Sequence, residues 1–247
     1  MKLTLLGCGH GTATPDFAST SMLLEAGNKN YLIDAADGAA HRLIKKGLDS
    51  AQLAAVMITH THLDHTAGLP EVIRLGMKNR KSYPEIDSTY LLADIACADI
   101  IRSWIALNCY KGTENIRFAS VDEGYADDVL KMRSVRTGHL MPVSDKSFSL
   151  IVEAENKKIF FSGDLRADFS DFAVAEADGS DLAVVELTHY PIAKAIPFLE
   201  KIKVGKLVFN HRGGFYQQEE GIAATLEACA KLPYPVILGT DGMEIEI

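Results

Sequence analysis

Thr59-His60-Thr61-His62-Leu63-Asp64-His65 places three histidines and an aspartate within six residues, directly after the apolar run Ala54-Ala55-Val56-Met57-Ile58. An apolar run of that length reads as a buried strand. Side chains two apart on extended backbone point the same way, so His60 and His62 can converge on one cation. Asp64 and His65 follow where the chain turns, within reach of a second cation beside the first. Gly68-Leu69-Pro70 closes the turn, and the pattern predicts a helix from Glu71. Imidazole with carboxylate suits zinc, manganese or iron rather than calcium or magnesium. A polar loop carrying histidines by chance is the plain alternative; this density of ligands behind a strand argues against it.

Around this stretch the chain has 247 residues, enough for one large domain or two closely packed halves. Its 47% apolar and 23% charged residues fit an ordinary globular protein. No apolar run approaches the roughly 20 residues of a membrane span, so no membrane partner is expected. Met1 to Leu6 is too short before Gly7 for a signal peptide and reads as a first strand. Cys8, Cys97, Cys109 and Cys229 lack paired spacing, which favours reduced thiols and a cytoplasmic protein. The formal charge of −8 argues against tight nonspecific binding to nucleic acid, with a local basic patch left open.

The Gly-rich stretch Gly7 to Pro15 has no Lys-Ser/Thr ending of a phosphate-binding loop and reads as a tight connection near the site. Ser21 to Ala26 and Tyr31 to Asp34 read as a hairpin around Gly27-Asn28-Lys29-Asn30. Ala39 to Lys46 has a helix pattern that Gly47 ends. The second half echoes this plan: Glu25-Ala26-Gly27-Asn28-Lys29 returns as Glu153-Ala154-Glu155-Asn156-Lys157, Ile58-Thr59-His60 as Leu187-Thr188-His189, and Gly9-His10 as Gly138-His139. The spacings are nearly equal, which suggests one domain over 1–247 built from two pseudo-repeated β-rich halves packed face to face. Between them, Thr89 to Leu92 is strand-like, a helix surrounds Trp104, and Asn108 to Asp128 reads as a polar surface segment.

Three further candidates stand, like the opening cluster, at strand-to-loop junctions. His139 lies in Arg136-Thr137-Gly138-His139-Leu140-Met141-Pro142, Asp164 ends Ile159-Phe160-Phe161-Ser162-Gly163, and His211 ends Leu207-Val208-Phe209-Asn210. Loops at one edge of a rigid scaffold are where distant ligands can gather. Arg166 and Arg212 lie within two residues of these candidates and could grip an anionic substrate by paired hydrogen bonds; surface ion pairs explain them equally well. His10 reads as a rim or surface residue, His41 as an exposed helix residue, and His189 as structural.

The run His60-Thr61-His62-Leu63-Asp64-His65 resembles the His-x-His-x-Asp-His signature of the metallo-β-lactamase superfamily, and the resemblance runs along the whole chain. It implies an α/β protein with a four-layer αββα sandwich. It further implies one divalent metal held by His60, His62 and His139 and a second by Asp64, His65 and His211, with Asp164 bridging and a hydroxide between them. Zinc comes first, with manganese or iron as alternatives. Asp34 would stand behind the metals, and Asp64 could also orient the hydroxide. Asp164, with no Cys in its place, points away from the β-lactamases. Leu6-Gly7-Cys8-Gly9, His139-Leu140-Met141-Pro142 and Ser162-Gly163-Asp164-Leu165-Arg166 resemble the branch of ribonuclease Z and the cyclic-phosphate phosphodiesterases. The Gly/Pro-rich tRNA arm of ribonuclease Z is missing between Asp164 and His211, and His189 is only a loose match to that enzyme's extra histidine motif, so with the acidic charge a nucleic acid is not the expected partner. The expectation is a dinuclear metallohydrolase acting on a small-molecule ester, foremost a phosphodiesterase for a small or cyclic phosphate ester. A lactonase, a thioesterase or a non-catalytic metal-dependent binding protein is the alternative. Oligomeric state is left open.

Overall fold

The computed structural model describes residues 1–12 and 14–247; Ala13 of the Gly-rich stretch lies outside them. Its strands are β1 (Lys2–Gly7), β2 (Ser21–Ala26), β3 (Lys29–Ile33), β4 (Leu53–Met57), β5 (Thr89–Ala93), β6 (Ile116–Ser120), β7 (Tyr125–Ala126), β8 (Leu130–Arg136), β9 (Phe148–Ala154), β10 (Lys157–Phe161), β11 (Leu182–Leu187), β12 (Lys206–Arg212), β13 (Val236–Leu238) and β14 (Glu244–Glu246). The helices are α1 (Ala39–Lys45), α2 (Leu63–Thr66), α3 (Leu69–Asn79), α4 (Ile95–Leu107), α5 (Val174–Ala177), α6 (Ile192–Leu199), α7 (Gly214–Gln217) and α8 (Glu219–Cys229).

The strands form two sheets, ordered β14-β1-β2-β3-β4-β5-β6 and β13-β12-β11-β10-β9-β8-β7. In the first, β1, β2 and β3 are antiparallel neighbours, and β3 to β6 run parallel. The second follows the same succession: β8, β9 and β10 antiparallel, then β10 to β13 parallel. Parallel neighbours need crossover connections, and here helices serve, lying on the outer faces.

Three apolar clusters show how the layers stack. Along each strand the side chains alternate between two of them, because successive Cβ atoms leave opposite faces. Leu24, Ile33 and Met57 of the first sheet meet Phe161, Val184 and Val208 of the second in the central core. Their chain neighbours Leu23, Leu32 and Val56 turn outward onto Leu43, Leu69, Ile73 and Ile101 of α1, α3 and α4. Phe160, Val185 and Phe209 turn outward onto Ile192, Ala195 and Leu199 of α6 and Cys229 of α8. Three cores between four layers make this an αββα sandwich. Strands covered on both faces read as continuous apolar runs, as Leu53-Ala54-Ala55-Val56-Met57 does.

Two readings of the sequence need adjustment. The helix expected from Glu71 begins at Leu69, because Pro70 sits in its first turn, where a missing N–H costs nothing. The segment Asn108 to Asp128, expected to be surface polar, contributes β6 and β7 to the sheet edges. Edge strands are half exposed, so Arg117 and Ser120 masked the pattern. Among the described residues no helix is long and apolar enough to cross a membrane.

Candidate metal centre

The site lies where strands of both sheets end. β4, β10, β11 and β12 run parallel within their sheets, and β8 points the same way as β10, so their C-terminal ends share one edge. Ligands bind at such carboxyl edges in open α/β sheets. His60 to His65 follow β4, His139 follows β8, Asp164 follows β10, His189 follows β11, and His211 lies near the end of β12.

The strand ends carry the strain that aims these side chains. In the β11–β12 register Glu186 faces Asn210 and Leu187 faces Arg212, so His211 is the extra residue of a bulge, with φ 49°. Asp34, after β3, also takes a left-handed conformation at φ 57°. Non-glycine residues held there cost on the order of 1–3 kcal/mol each. Gly163, at φ 57°, is required before Asp164: a Cβ would lie 2.3 Å from the Phe148 carbonyl oxygen.

Seven candidate ligands converge. Atoms of His60, His62, His139 and Asp164 lie within 4.8 Å of one another, as do those of Asp64, His65 and His211, and a third group of Asp164, His189 and His211 meets the same limit. The Asp164 carboxylate stands between the groups: Oδ2 is 3.5 Å from His60 Nε2, 3.5 Å from His139 Nε2 and 3.4 Å from His65 Nε2, and Oδ1 is 3.8 Å from His211 Nε2. Behind them, Asp34 accepts from Thr59 N at 2.8 Å, from Thr59 Oγ1 at 2.9 Å and from His65 Nδ1 at 2.8 Å. A carboxylate can only accept, so the His65 proton sits on Nδ1 and Nε2 is left facing the cluster. A histidine ligand oriented by a carboxylate behind it is common at metal sites.

Electrostatics make the cluster a place for positive charge. Burial disfavours charge on His65, but Asp164 and Asp34 outweigh it and raise its pKa well above the ordinary value. Burial, with His65 close by, drives His60 well below the ordinary value. Burial would raise the pKa of Asp64, yet its hydrogen bond from His211 at 3.1 Å and the charge of His65 hold it below the usual range. His60 Nε2, His65 Nε2 and Asp164 Oδ1 are buried without hydrogen-bond partners. Such orphaned atoms are costly unless something coordinates them. All three belong to the two clusters, so the residues fit divalent cations.

The other sequence candidates divide. Arg166 is half exposed at the rim, and its side chain lies over Gly138, beside His139. Arg212 does not reach the site: it is 2% exposed and donates to the Tyr216 and Gly239 carbonyls. The bulge at His211 shifts the alternation by one residue and turns Arg212 inward, which corrects the substrate-binding expectation. His41 is exposed on α1. His10 borders the site, where burial lowers its pKa and the charges of His211, Asp64 and His189 reach it.

His189, read from sequence as structural, stands in the site. Its Nε2 is 3.8 Å from Asp164 Oδ2, and its ring centroid is 4.5 Å from that of His139. Glu186, 3% exposed, holds it: Oε1 lies 3.0 Å from His189 Nδ1, and the same carboxylate accepts from the backbone N–H of Leu165, Thr188 and His189. Burial lowers the His189 pKa, but Glu186 prevails and brings it to about 8. A signal was present: an acid inside the apolar run Leu182 to Leu187 is rarely buried without a partner. Met141, Val143 and Phe215, each two to four residues beyond a candidate ligand, are exposed.

The fold is that of the metallo-β-lactamase superfamily, and the cluster is a candidate site for divalent metal. The family described as "Anti-Pycsar protein Apyc1" matches residues 1–184, and the chain belongs to that family. Ribonuclease Z of Mycobacterium marinum is 40% identical over 73 residues, which is 30% of this chain and only 26% of that protein. Ribonuclease Z of Bradyrhizobium diazoefficiens is 23% identical over 283 residues, spanning 90% of this chain and 92% of its own. Among solved structures, the metallo-β-lactamase fold protein YhfI from Bacillus subtilis superposes with a TM-score of 0.79 at 17% identity, covering 100% of this chain and 99% of its own. The short form of human tRNase Z gives 0.76 at 20% identity over 100% and 99% of the two chains. A diphosphatase of the PhnP family gives 0.73 at 17% identity over 100% and 97%.

These relatives overturn the expectation that nucleic acid is an unlikely partner. The acidic net charge is a sum over the whole chain and says nothing of where the cations stand, and the missing arm removes one element rather than a class of ligand.

Proposed function

We propose that the chain is a dinuclear metal-dependent phosphodiesterase acting on a small or cyclic phosphate ester. His60, His62 and His139 would hold one cation, Asp64, His65 and His211 the other, and Asp164 would bridge them. The observation that carries this is the trio of buried, unpartnered atoms, His60 Nε2, His65 Nε2 and Asp164 Oδ1, in two adjoining ligand groups. Divalent cations bound there would polarise the phosphoryl group and acidify water.

The remaining work falls to the chain's own side chains. Asp64, kept ionised beside His211, accepts a hydrogen bond from the attacking water and orients it. His189, its Nδ1 tied to Glu186, holds a proton at Nε2 facing Asp164 and gives it to the leaving oxygen. Arg166, half exposed beside His139, holds a phosphate oxygen. A second reading, cleavage of a phosphodiester within RNA, is favoured by the ribonuclease Z relatives.

The test is turnover of an ester panel by metal-loaded protein: bis(p-nitrophenyl) phosphate, a cyclic nucleotide, a structured RNA, a lactone and a thioester. Chelator-sensitive cleavage of the first two, retained when all four cysteines are changed to Ser, supports the proposal. Faster turnover of lactone or thioester overturns it in favour of those activities. No turnover of any ester favours a metal-dependent binding protein.

A further inference from the structure

At the far end of α3 lies a cavity of about 490 Å³ lined by Arg74, Met77, Lys78, Lys81, Tyr110, Lys111, Gly112, Glu114 and Asn115. Four cations face one carboxylate, Glu114, in a chain whose net charge is −8. Arg74 is paired with Glu71 through two hydrogen bonds, at 2.8 and 2.5 Å. Lys78, Lys81 and Lys111 are exposed, and none has a carboxylate within ion-pair distance among the described residues. Helix-dipole complementarity at the end of α3 accounts for Lys78. It does not account for Lys111, which comes from the turn after α4 and converges on the same cavity.

The walls are fixed in place. Gly112, at φ 94°, packs so closely on α3 that a Cβ would lie 3.2 Å from the Met77 carbonyl oxygen. The half-buried Tyr110 rests against Trp104, with ring centroids 5.3 Å apart. Ammonium groups beside an aromatic ring and an amide suit a phosphate with a planar group attached. α3 starts four residues after His65, and its 11 residues extend about 16 Å at ~1.5 Å each. A ligand here cannot be the small ester at the metal edge, whereas a strand of about five nucleotides, at ~3.4 Å each, spans the gap.

We propose that this cavity is a second, phosphate-binding site that seats the backbone of a nucleic acid strand remote from the metal edge. Recognition is through charge and stacking, so it is sequence-independent. The proposal does not depend on which ester the metal centre cleaves.

The test compares native protein with a Lys78→Ala, Lys81→Ala, Lys111→Ala triple variant for binding of a fluorescently labelled single-stranded RNA across a salt series, with both proteins metal-loaded. The variant is expected to bind at least ~10-fold more weakly at low salt, with the log–log salt slope shallower by about 2, since each lost phosphate contact contributes roughly 0.7. Its rate on a small chromogenic phosphodiester should match native protein, which separates loss of the cavity from loss of fold. Unchanged RNA affinity and slope would overturn the proposal. Displacement of the RNA by a mononucleotide at comparable concentration would overturn the strand assignment and give the site to free nucleotides.

Discussion

His189 Nδ1 lies 3.0 Å from Glu186 Oε1, and this buried contact turns the opposite ring nitrogen toward Asp164. The pair joins β11 to the site without being one of the seven proposed ligands. His189→Ala should therefore slow hydrolysis of esters with poor leaving groups by about 10²-fold or more, the usual scale for a lost general acid. Esters of p-nitrophenol, whose leaving group needs no proton, should be affected far less. Metal content should hold. Equal losses on both ester types, or loss of metal, would remove the proton-donor role.

Asp164→Ala should abolish hydrolysis and lower metal content in both positions, while His41→Ala does neither. Elemental analysis of protein purified without chelator should give two equivalents per chain in the native protein. Chelation should also lower the melting temperature, because ligand bound only to the folded state stabilises it by mass action. A stoichiometry of one that added zinc or manganese does not raise would exclude the dinuclear arrangement.

Arg212 and Arg166 should part company. Arg212→Ala removes a buried cation that donates to two backbone carbonyls and leaves those oxygens unpaired, at a cost of about 3 kcal/mol or more. Denaturant unfolding should show that loss. Arg166→Ala should leave stability within about 0.5 kcal/mol, as for exposed positions generally, and raise KM. A raised KM for Arg212→Ala with undiminished stability would contradict the placement.

The sequence made the layers and the cluster legible for physical reasons. Strands buried on both faces, such as Leu53 to Met57, must be continuously apolar. His60 to His65 could be read because its ligands are neighbours in the chain. His189 was harder to read: the acid Glu186 in an apolar run hinted at a buried partner, but Glu186, Asp164 and His139 come from three strand ends that meet His189 only on folding. Arg212 misled because the bulge at His211 inverts the alternation on which the reading of β12 rests. The edge strand Ile116 to Ser120 was hidden because an edge needs few apolar residues. The common succession of pairings in the two sheets supports the proposal that one domain arose from two related halves.

At the edge of the sandwich away from the candidate metal centre, one carboxylate ties both sheets together. Asp127 accepts hydrogen bonds from Tyr31 Oη at 2.9 Å, Tyr125 Oη at 2.9 Å, Lys29 Nζ at 3.1 Å, and the backbone N–H of Val129 and Leu130 at 2.8 Å each. Burial alone would raise its pKa, but these donors outweigh it and the value falls below the ordinary one. A folded-state pKa below the unfolded value of about 3.9 means stability that is full above that pH. It is then lost as pH falls through the folded value. Asp127→Asn should cost about 1–2 kcal/mol at neutral pH, the scale of hydrogen bonds to a charged group that is only partly buried. The gap between native and variant urea midpoints should narrow as pH drops below ~4, because the native carboxylate is then losing its advantage. Hydrolysis at the metal centre should be unaffected, since Lys29 and Leu130 open strands whose other ends carry the site. A gap that stays constant from pH 7 to pH 3 would falsify the carboxylate's role and leave the packing of Tyr31 and Tyr125 as what the substitution disturbs.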